Sequence, residues 1–134
     1  LNQLGEAEAL FREALAIRRE ALPAAHPTIA MGLNNLAALL HHRSKFDEAE
    51  PLQREALGIY RASLPAGHPD IAKCLQVLAG LLQSQGRYAE ADSLAREALD
   101  IDRAAGHPGI VQSLTRLGTL RMTQGKFAEA EPLL

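Results

Sequence analysis

Five histidines and one cysteine are the side chains of this 134-residue chain best suited to metal binding or nucleophilic chemistry. His26, His68 and His107 each precede a proline and are spaced 42 and 39 residues apart. Zinc–nitrogen bonds are only about 2.1 Å long. If the three His-Pro steps mark equivalent positions of successive repeats, their histidines lie too far apart to share one metal ion. His41 and His42 are adjacent, and neighbouring residues of a helix point roughly 100° apart. We therefore expect no metal site.

Cys74 and the carboxylates offer no catalytic arrangement either. Cys74 stands beside Leu75 without a histidine on its helix face, so we expect a small buried side chain rather than a nucleophile. Acidic residues such as Glu50 and Glu55 alternate with arginines such as Arg54, which is typical of a solvated, ion-paired helix face. The chain contains no glycine-rich phosphate loop or dinucleotide fingerprint. We therefore expect neither enzymatic activity nor a cofactor.

The composition favours helices over sheets. Leucine and alanine supply 47 of the 63 hydrophobic residues, whereas valine occurs twice and aromatic residues only five times. Leucine and alanine are strong helix formers, and a sheet would need more β-branched and aromatic residues. The formal net charge of −2 gives no reason to expect nucleic acid or an anionic membrane as a partner.

Three features bear on location and completeness. One cysteine cannot form an internal disulfide, no apolar run approaches the roughly 18 residues that cross a bilayer, and the first residues show no signal-peptide pattern. We therefore expect a cytoplasmic protein. The sequence begins without methionine and ends at Leu133 and Leu134, within an apolar pattern, from which we expect a fragment of something longer.

A repeat of about 42 residues runs through the chain. Its units share the His-Pro step, and the stretch Arg-Glu-Ala-Leu occurs at residues 12–15, 54–57 and 96–99. Phe46 recurs 42 residues later as Tyr88. Matches this dense across the whole chain indicate one repetitive domain.

Each repeat unit divides into two predicted helices. The first begins at the His-Pro step, because proline suits the opening turn of a helix. In the first unit it places Ile29, Leu33, Leu36 and Leu40 on one apolar face. In the second unit we expect Asp70 to cap this helix.

A short turn and a second predicted helix complete each unit. The turns fall at residues 43–45, 85–87 and 124–126, and glycine in two of them suits a helix end. The second helix follows, from about Phe46 to Ala62 in the first unit, with acidic residues in its first turn, where the helix dipole favours them. The pattern thus predicts alternating helices throughout.

This pattern resembles the tetratricopeptide repeat. In the first unit the residues that carry the resemblance are Leu33, Leu36, Ala37, Leu40, Ala49 and Ala56. The 42-residue period, the His-Pro lead-in and the Leu-Asn-Asn-Leu-Ala stretch at 33–37 resemble the kinesin light chain variety, whose second helix is longer than usual. The resemblance implies an all-α fold, an α-solenoid of antiparallel helix pairs that forms a right-handed superhelical arc.

The resemblance makes residues 1–134 a single tetratricopeptide repeat domain. We expect a lone second helix in 1–22, repeat 1 in 27–64, repeat 2 in 69–105 and a truncated repeat 3 in 108–134. Solenoid ends normally need polar caps, and these ends carry apolar faces. We therefore expect the end faces to bind a partner, for example a second copy of the chain.

Two departures from the family pattern concern packing positions. The family usually has a large aromatic residue at one place in the second helix, which Phe11 keeps and Gln53 and Ala95 replace. Arg121 stands where the first two units have Leu40 and Leu82. We therefore expect the third unit to pack less well than the others.

In this family the first helices line the concave surface, so the resemblance implies a groove. Helical spacing assigns to that groove the residues outside the apolar faces, and they are basic or uncharged, without a carboxylate. The candidate peptide-binding residues are Asn34, Asn35, Ala38, Lys73, Gln76, Val77, Gln112, Thr115, Arg116 and Thr119. Fifteen of the sixteen acidic residues fall in the second helices instead.

The groove residues suit an extended peptide. Small side chains leave room for a backbone, and amide side chains can pair with its N–H and C=O groups. Lys73 and Arg116 can hold a carboxylate through charge-assisted hydrogen bonds. Asn35 is the leading candidate contact, because an asparagine there resembles a peptide-backbone contact of kinesin light chain. We therefore expect a protein-interaction scaffold whose protein or peptide partner carries acidic residues.

A different class of function stays open. Tetratricopeptide arrays of this kind often flank catalytic domains, so the units could form a regulatory or spacer arm of a larger enzyme. A bacterial signalling ATPase or a caspase-like protease would be an example. Apart from this alternative, exposed polar residues on a solenoid are solvated by default, so the groove could also be ordinary surface.

Overall fold

The computed structural model describes residues 3–106 and 109–130, with side chains described as far as residue 125. Within these residues the chain forms six α-helices and no β-strand. The helices are α1 (Gln3–Ala21), α2 (Pro27–His42), α3 (Phe46–Ser63), α4 (Pro69–Ser84), α5 (Tyr88–Ala105) and α6 (Ile110–Ala130). The predicted all-α class is confirmed. No helix in the described ranges is both long and apolar enough to cross a membrane.

Consecutive helices pack against each other and stack into a solenoid. Because the turns between α2 and α3 and between α4 and α5 are short, the paired helices are antiparallel neighbours. The first helices also approach one another, α2 on α4 and α4 on α6. The backbones of α1, α3 and α5 do not approach one another in the described residues. The first helices therefore form the inner, concave layer.

The core lies between the two layers. The fully buried branched side chains of the inner layer are Ile29, Leu33, Leu36, Leu40, Leu75, Leu78, Leu81, Leu82 and Leu120. The outer layer contacts them with five fully buried alanines, Ala49, Ala56, Ala91, Ala95 and Ala98. Since alanine is small, the paired backbones can approach closely while the leucines fill the remaining space.

The His-Pro step starts the first helices, as predicted. His26 and His68 are the N-cap residues of α2 and α4, and Nδ1 of each ring accepts a hydrogen bond from a backbone N–H, that of Thr28 at 3.1 Å and that of Asp70 at 3.0 Å. The prediction that Asp70 caps α4 is wrong, because the ring of His68 takes that place. Asp70 lies in the first turn, where its charge still suits the helix dipole. The third step, His107-Pro108, lies outside the described residues.

Replacing His68 with alanine is expected to lower the free energy of unfolding by about 1 kcal/mol, because the N–H of Asp70 loses its acceptor. Asparagine is a good N-cap residue, so His68→Asn should keep most of this stability. Urea denaturation followed by circular dichroism measures both variants. Equal losses in the two variants would contradict a capping role.

Two of the three predicted turns are present. Ser44 and Gly86 take left-handed conformations with φ of 62° and 78°, and each lets the chain reverse into the next helix. Ser44 is the strained member of the pair, since only glycine takes this φ freely. The predicted turn at residues 124–126 is wrong, because α6 continues through it to Ala130. The described part of the third unit has no returning helix to favour a turn, and glycine inside a helix costs only about 1 kcal/mol.

Ion pairs connect the outer helices across the gap between their backbones. Each joins an arginine to a glutamate of the next outer helix, and the pairs are Arg12–Glu48, Arg19–Glu55, Arg54–Glu90 and Arg61–Glu97. In each pair the glutamate lies 36 residues after the arginine, which reflects the 42-residue repeat. All these side chains are exposed, so each pair adds little stability by itself.

Glu50 of the outer layer is more enclosed than the glutamates of these pairs. Glu50 accepts hydrogen bonds from Arg54 at 2.9 Å and from Arg87 at 2.7 Å. Its partial burial acts to raise the pKa of Glu50, but the hydrogen bond from Arg54 and the charges of Arg87 and Arg54 outweigh burial and lower it. The pKa of Glu90 is lowered as well, first by its hydrogen bond from Arg54.

These lowered pKa values predict acid sensitivity. Above pH 4.5, the ordinary glutamate value, the stabilisation is fully present, and it is lost as the pH falls through the lower pKa of the folded state. We expect the urea midpoint to fall in this acidic range. Glu50→Gln should fall less steeply there, whereas the exposed control Glu13→Gln should follow the parent profile. Identical profiles for Glu50→Gln and the parent would contradict this assignment.

Candidate peptide-binding groove

The concave side presents equivalent positions of α2, α4 and α6 in columns. Three of these columns are Asn34, Gln76 and Thr115; Asn35, Val77 and Arg116; and Ala38, Gly80 and Thr119. Because the inner helices approach one another, side chains of one helix reach those of the next. The columns therefore form a continuous surface rather than separate patches.

Two cavities open on this surface. The first has a volume of about 490 Å³ and lies where α2, α4, α5 and α6 meet. Its lining residues are Asn34, Lys73, Gln76, Val77, Asp102, Gly109 and Gln112. The second has a volume of about 290 Å³ and lies between α4 and α6. Its lining residues are Gln83, Val111, Gln112, Thr115, Arg116 and Thr119.

The structure brings together eight of the ten residues proposed from sequence, and Gln112 belongs to both cavities. The other two, Asn35 and Ala38, are exposed on α2 and line neither cavity. Of the two neighbouring amides, Asn34 and not Asn35 therefore lies at a cavity.

A chain of hydrogen bonds connects the two cavities along the groove floor. Nε of Arg116 donates to Oε1 of Gln76 at 3.1 Å, and Nε2 of Gln76 donates to Oγ of Ser113. Oγ of Ser113 in turn donates to Oδ2 of Asp102 at 2.9 Å. Every bond points from the cation toward the carboxylate, an arrangement in which neighbouring hydrogen bonds polarise one another. The chain fixes the orientation of Gln76 and Arg116.

Arg116 lies across α4 and is partly buried. Gly80 makes this possible, since a Cβ atom there would come within 2.9 Å of Nη1 of Arg116. Nη1 also donates to Oε1 of Gln83 at 3.2 Å. Burial lowers the pKa of Arg116, yet the guanidinium forms no ion pair with any side chain that the structure describes. Its remaining N–H groups are thus available to an anionic group in the second cavity.

A lysine and a histidine also lie near the groove. Lys73 is exposed at the first cavity and has no ion pair within the described residues. His41 contacts Oγ of Ser84 at 2.9 Å, and burial and then the charge of Arg116 lower the pKa of His41. The groove therefore combines two cations, Arg116 and Lys73, that form no ion pair within the described residues, with several neutral amides.

The expectation that no carboxylate lines the groove is wrong at one position. Asp102 extends from α5 into the first cavity and is almost fully buried beside Ser113. Helical spacing alone assigns Asp102 to a second helix, with the other acidic residues of the outer layer. Its counterpart one repeat earlier is the buried Tyr60, and this alignment was the available signal that Asp102 faces inward.

The remaining chemical candidates lie apart from the groove. Cys74 is buried, and burial raises the pKa of its thiol to about 12, so it stays protonated near neutral pH. In residues 3–106 and 109–125 no three His, Cys, Asp or Glu side chains converge as metal ligands would. His26 and His68 act as helix caps.

Comparison with known families agrees with the repeat architecture. A tetratricopeptide repeat model matches residues 28–104 and 78–134, and a second tetratricopeptide repeat model matches residues 1–28. No curated protein sequence matches the chain significantly.

Solved structures with the same architecture include kinesin light chain-like proteins. A Podosopora anserina kinesin light chain protein with nearly identical TPR-like repeats is 25% identical, with a TM-score of 0.76 over 98% of this chain. BtubC (BKLC) from P. vanneervenii is 26% identical, with a TM-score of 0.84 over 97% of this chain. The chain spans 64% and 53% of those two proteins. The predicted resemblance to kinesin light chain repeats is confirmed.

Proposed function

The chain belongs to the tetratricopeptide repeat family, and from this premise we propose that it binds an extended peptide segment with acidic side chains in the concave groove. Arg116 is the observation that carries this proposal. A partly buried guanidinium that hydrogen bonds only to neutral amides among the described residues leaves a positive charge without a counter-ion. A carboxylate of a bound segment would supply that counter-ion through charge-assisted hydrogen bonds.

The two cavities contact different parts of the bound peptide. In the second cavity Arg116 binds an acidic side chain, with Thr115 and Thr119 as neighbouring hydroxyl groups. In the first cavity Asn34 and Gln112 offer amides to the peptide backbone, and Lys73 offers a second positive charge. Gln112 borders both cavities, so one extended segment can occupy the two together.

A peptide library tests the proposal. The library would contain short acidic, neutral and basic peptides with acetylated and amidated ends, and fluorescence anisotropy would measure their binding to the intact chain. We expect acidic peptides to bind best and added salt to weaken them. Asn34→Ala and Asn35→Ala separate the two neighbouring amides, and Asn34→Ala should have the larger effect. No preference for acidic peptides, or unchanged binding in both variants, would reject the groove as the binding site.

A second candidate function is self-association, which one observation favours. In α1 the side chains of Leu10 and Ile17 are 64% and 59% exposed. The counterpart of Ile17 in α3 is Ile59, which is buried. α6 exposes Val111 (63%) and Leu114 (45%), although the counterparts of these residues in α4 are buried. Elsewhere in the solenoid, the equivalent faces of an outer helix and an inner helix pack against each other. We propose that α1 of one copy packs on α6 of another.

Sedimentation velocity over a dilution series tests this association. We expect dimers or longer assemblies in the 134-residue chain and monomers for Ile17→Glu and Leu114→Glu alone. Each variant keeps one intact face, so mixing the two should restore a dimer. A parent chain that stays monomeric at every concentration, or a mixture without dimers, would reject the association.

A further inference from the structure

Gln53 is a buried amide at a position where the other repeats have apolar side chains. It lies in α3 and is fully buried, whereas its counterparts are Phe11 and Ala95. Nε2 of Gln53 donates to Oδ1 of Asn34 at 2.7 Å and to the backbone oxygen of Cys74 at 3.1 Å, and it also contacts Sγ of Cys74. The amide therefore joins the outer layer to two inner helices.

The backbone of α4 fixes which way both amides face. The carbonyl of Cys74 can only accept a hydrogen bond, so the NH₂ group of Gln53 has to face it. The second hydrogen of that NH₂ group is donated to Asn34, whose Oδ1 therefore accepts it. Asn34 therefore keeps its own NH₂ group directed away from Gln53. Asn34 is half-buried and lines the first cavity, and its Nδ2 bonds to no described residue.

This arrangement comes at the expense of core packing. Within the described residues, the buried Oε1 of Gln53 has no hydrogen-bond partner, which destabilises the fold relative to an apolar side chain of similar size. A residue that served only to fill the core would be better apolar, as in the neighbouring repeats. Gln53 gains a role if the orientation of Asn34 matters to what the cavity binds.

We propose that Gln53 is a positioning residue that holds Asn34 with its NH₂ group toward the first cavity, so that this subsite accepts a hydrogen-bond acceptor, the backbone carbonyl oxygen of a bound peptide. The inference rests on the proposed peptide binding and adds that the subsite at Asn34 donates, rather than accepts, a hydrogen bond. The subsite discriminates against a donor such as a backbone N–H, which would face the NH₂ group of Asn34.

The first test separates positioning from core packing. Gln53→Met keeps the length of the side chain but removes its donor, so the midpoint of thermal unfolding should stay the same or rise. Affinity for the best acidic peptide of the library should fall roughly three- to tenfold, as for one neutral hydrogen bond. Asn34→Ala should fall similarly, and the double variant should fall no further. Parent-like affinity in Gln53→Met, or losses that simply add in the double variant, would overturn the inference.

Asn34→Asp is the matched control for polarity. Its carboxylate still accepts from Gln53 but presents an oxygen instead of an NH₂ group to the cavity. We expect nearly parent-like unfolding and at least roughly a tenfold loss of peptide affinity, from the lost hydrogen bond and the repulsion between two acceptors. Retained affinity would show that the cavity does not use a donor at this position.

A measurement without ligand keeps this inference distinct from the proposed function. In ¹⁵N-labelled protein, the side-chain NH₂ protons of Asn34 should show nuclear Overhauser contacts to cavity side chains such as Val77. Gln53→Met should weaken or average them. Unchanged contacts in Gln53→Met, or contacts to the core rather than the cavity, would overturn the positioning role. If no library peptide binds the parent chain, the proposed function is rejected, and these spectra alone decide the orientation of Asn34.

Discussion

Replacing Leu78 with alanine is expected to lower the free energy of unfolding by about 2–5 kcal/mol. Leu78 is fully buried in α4, the inner helix that packs on α3 and α5 and also contacts α2 and α6. The truncated side chain leaves a cavity between layers that are already held at close distance by alanines, so the helices cannot collapse far to fill it. Because repeats of a solenoid contact only their neighbours, the central repeat has the most to lose.

Urea denaturation measures this effect, with Leu114→Ala as the matched control. Leu114 is a leucine of the next inner helix but is 45% exposed, so its truncation should cost well under about 1 kcal/mol. A loss for Leu78→Ala no greater than that of Leu114→Ala would contradict the stacking of α4 at the centre of the core. Both variants carry the same chemical change, so at concentrations where the chain is monomeric the difference between them reports burial alone.

Replacing Arg116 with alanine is expected to weaken binding of an acidic peptide by roughly 10- to 100-fold, the range for a hydrogen-bonded charge. The guanidinium is already oriented by Gln76 and Gln83 and rests on Gly80, so little freedom is lost when a carboxylate binds. The loss should shrink for a peptide in which glutamine replaces each glutamate, because the interaction depends on charge. Fluorescence anisotropy at constant ionic strength measures both peptides.

Arg103→Ala provides the control for net charge. Arg103 is exposed on α5, in the outer layer, so its removal changes the total charge by the same amount without touching the groove. We expect its affinity to stay within about twofold of the parent value, since distant exposed charges are screened by salt. Equal losses for Arg116→Ala and Arg103→Ala would point to general electrostatic attraction instead of a defined site.

Much of the fold can be predicted from local sequence signals that recur in each repeat. The His-Pro step, the spacing of Leu33, Leu36 and Leu40 and the reversal at Gly86 each recur, so independent signals agree on the same helix boundaries. The same glycine signal was nevertheless wrong in the third repeat. Gly125 resembles a helix end in sequence, yet without a packed second helix in the described residues nothing opposes the continuation of α6.

The groove could be predicted in position but not in detail. Helical spacing assigns residues to the concave side, which places eight of the ten proposed side chains at two cavities. Spacing within one helix does not reveal which side chains of another layer reach the same place. Asp102 and Gln53 both belong to outer helices and meet the groove residues only through the stacking of layers. Comparison with the other repeats identifies Gln53 as an exception from sequence, and comparing Asp102 with its counterpart Tyr60 would have identified Asp102 as well.

The ion pairs of the outer layer have a mechanical consequence. The inner helices are held by direct contact, whereas the outer helices face each other across a gap bridged by long flexible side chains such as Arg54 and Glu90. Screening by added salt weakens exposed charges but leaves apolar packing almost unchanged. We therefore expect the outer side to loosen first when ionic strength rises, so that the bend of the molecule, and with it the width of the concave groove, responds to the ionic surroundings.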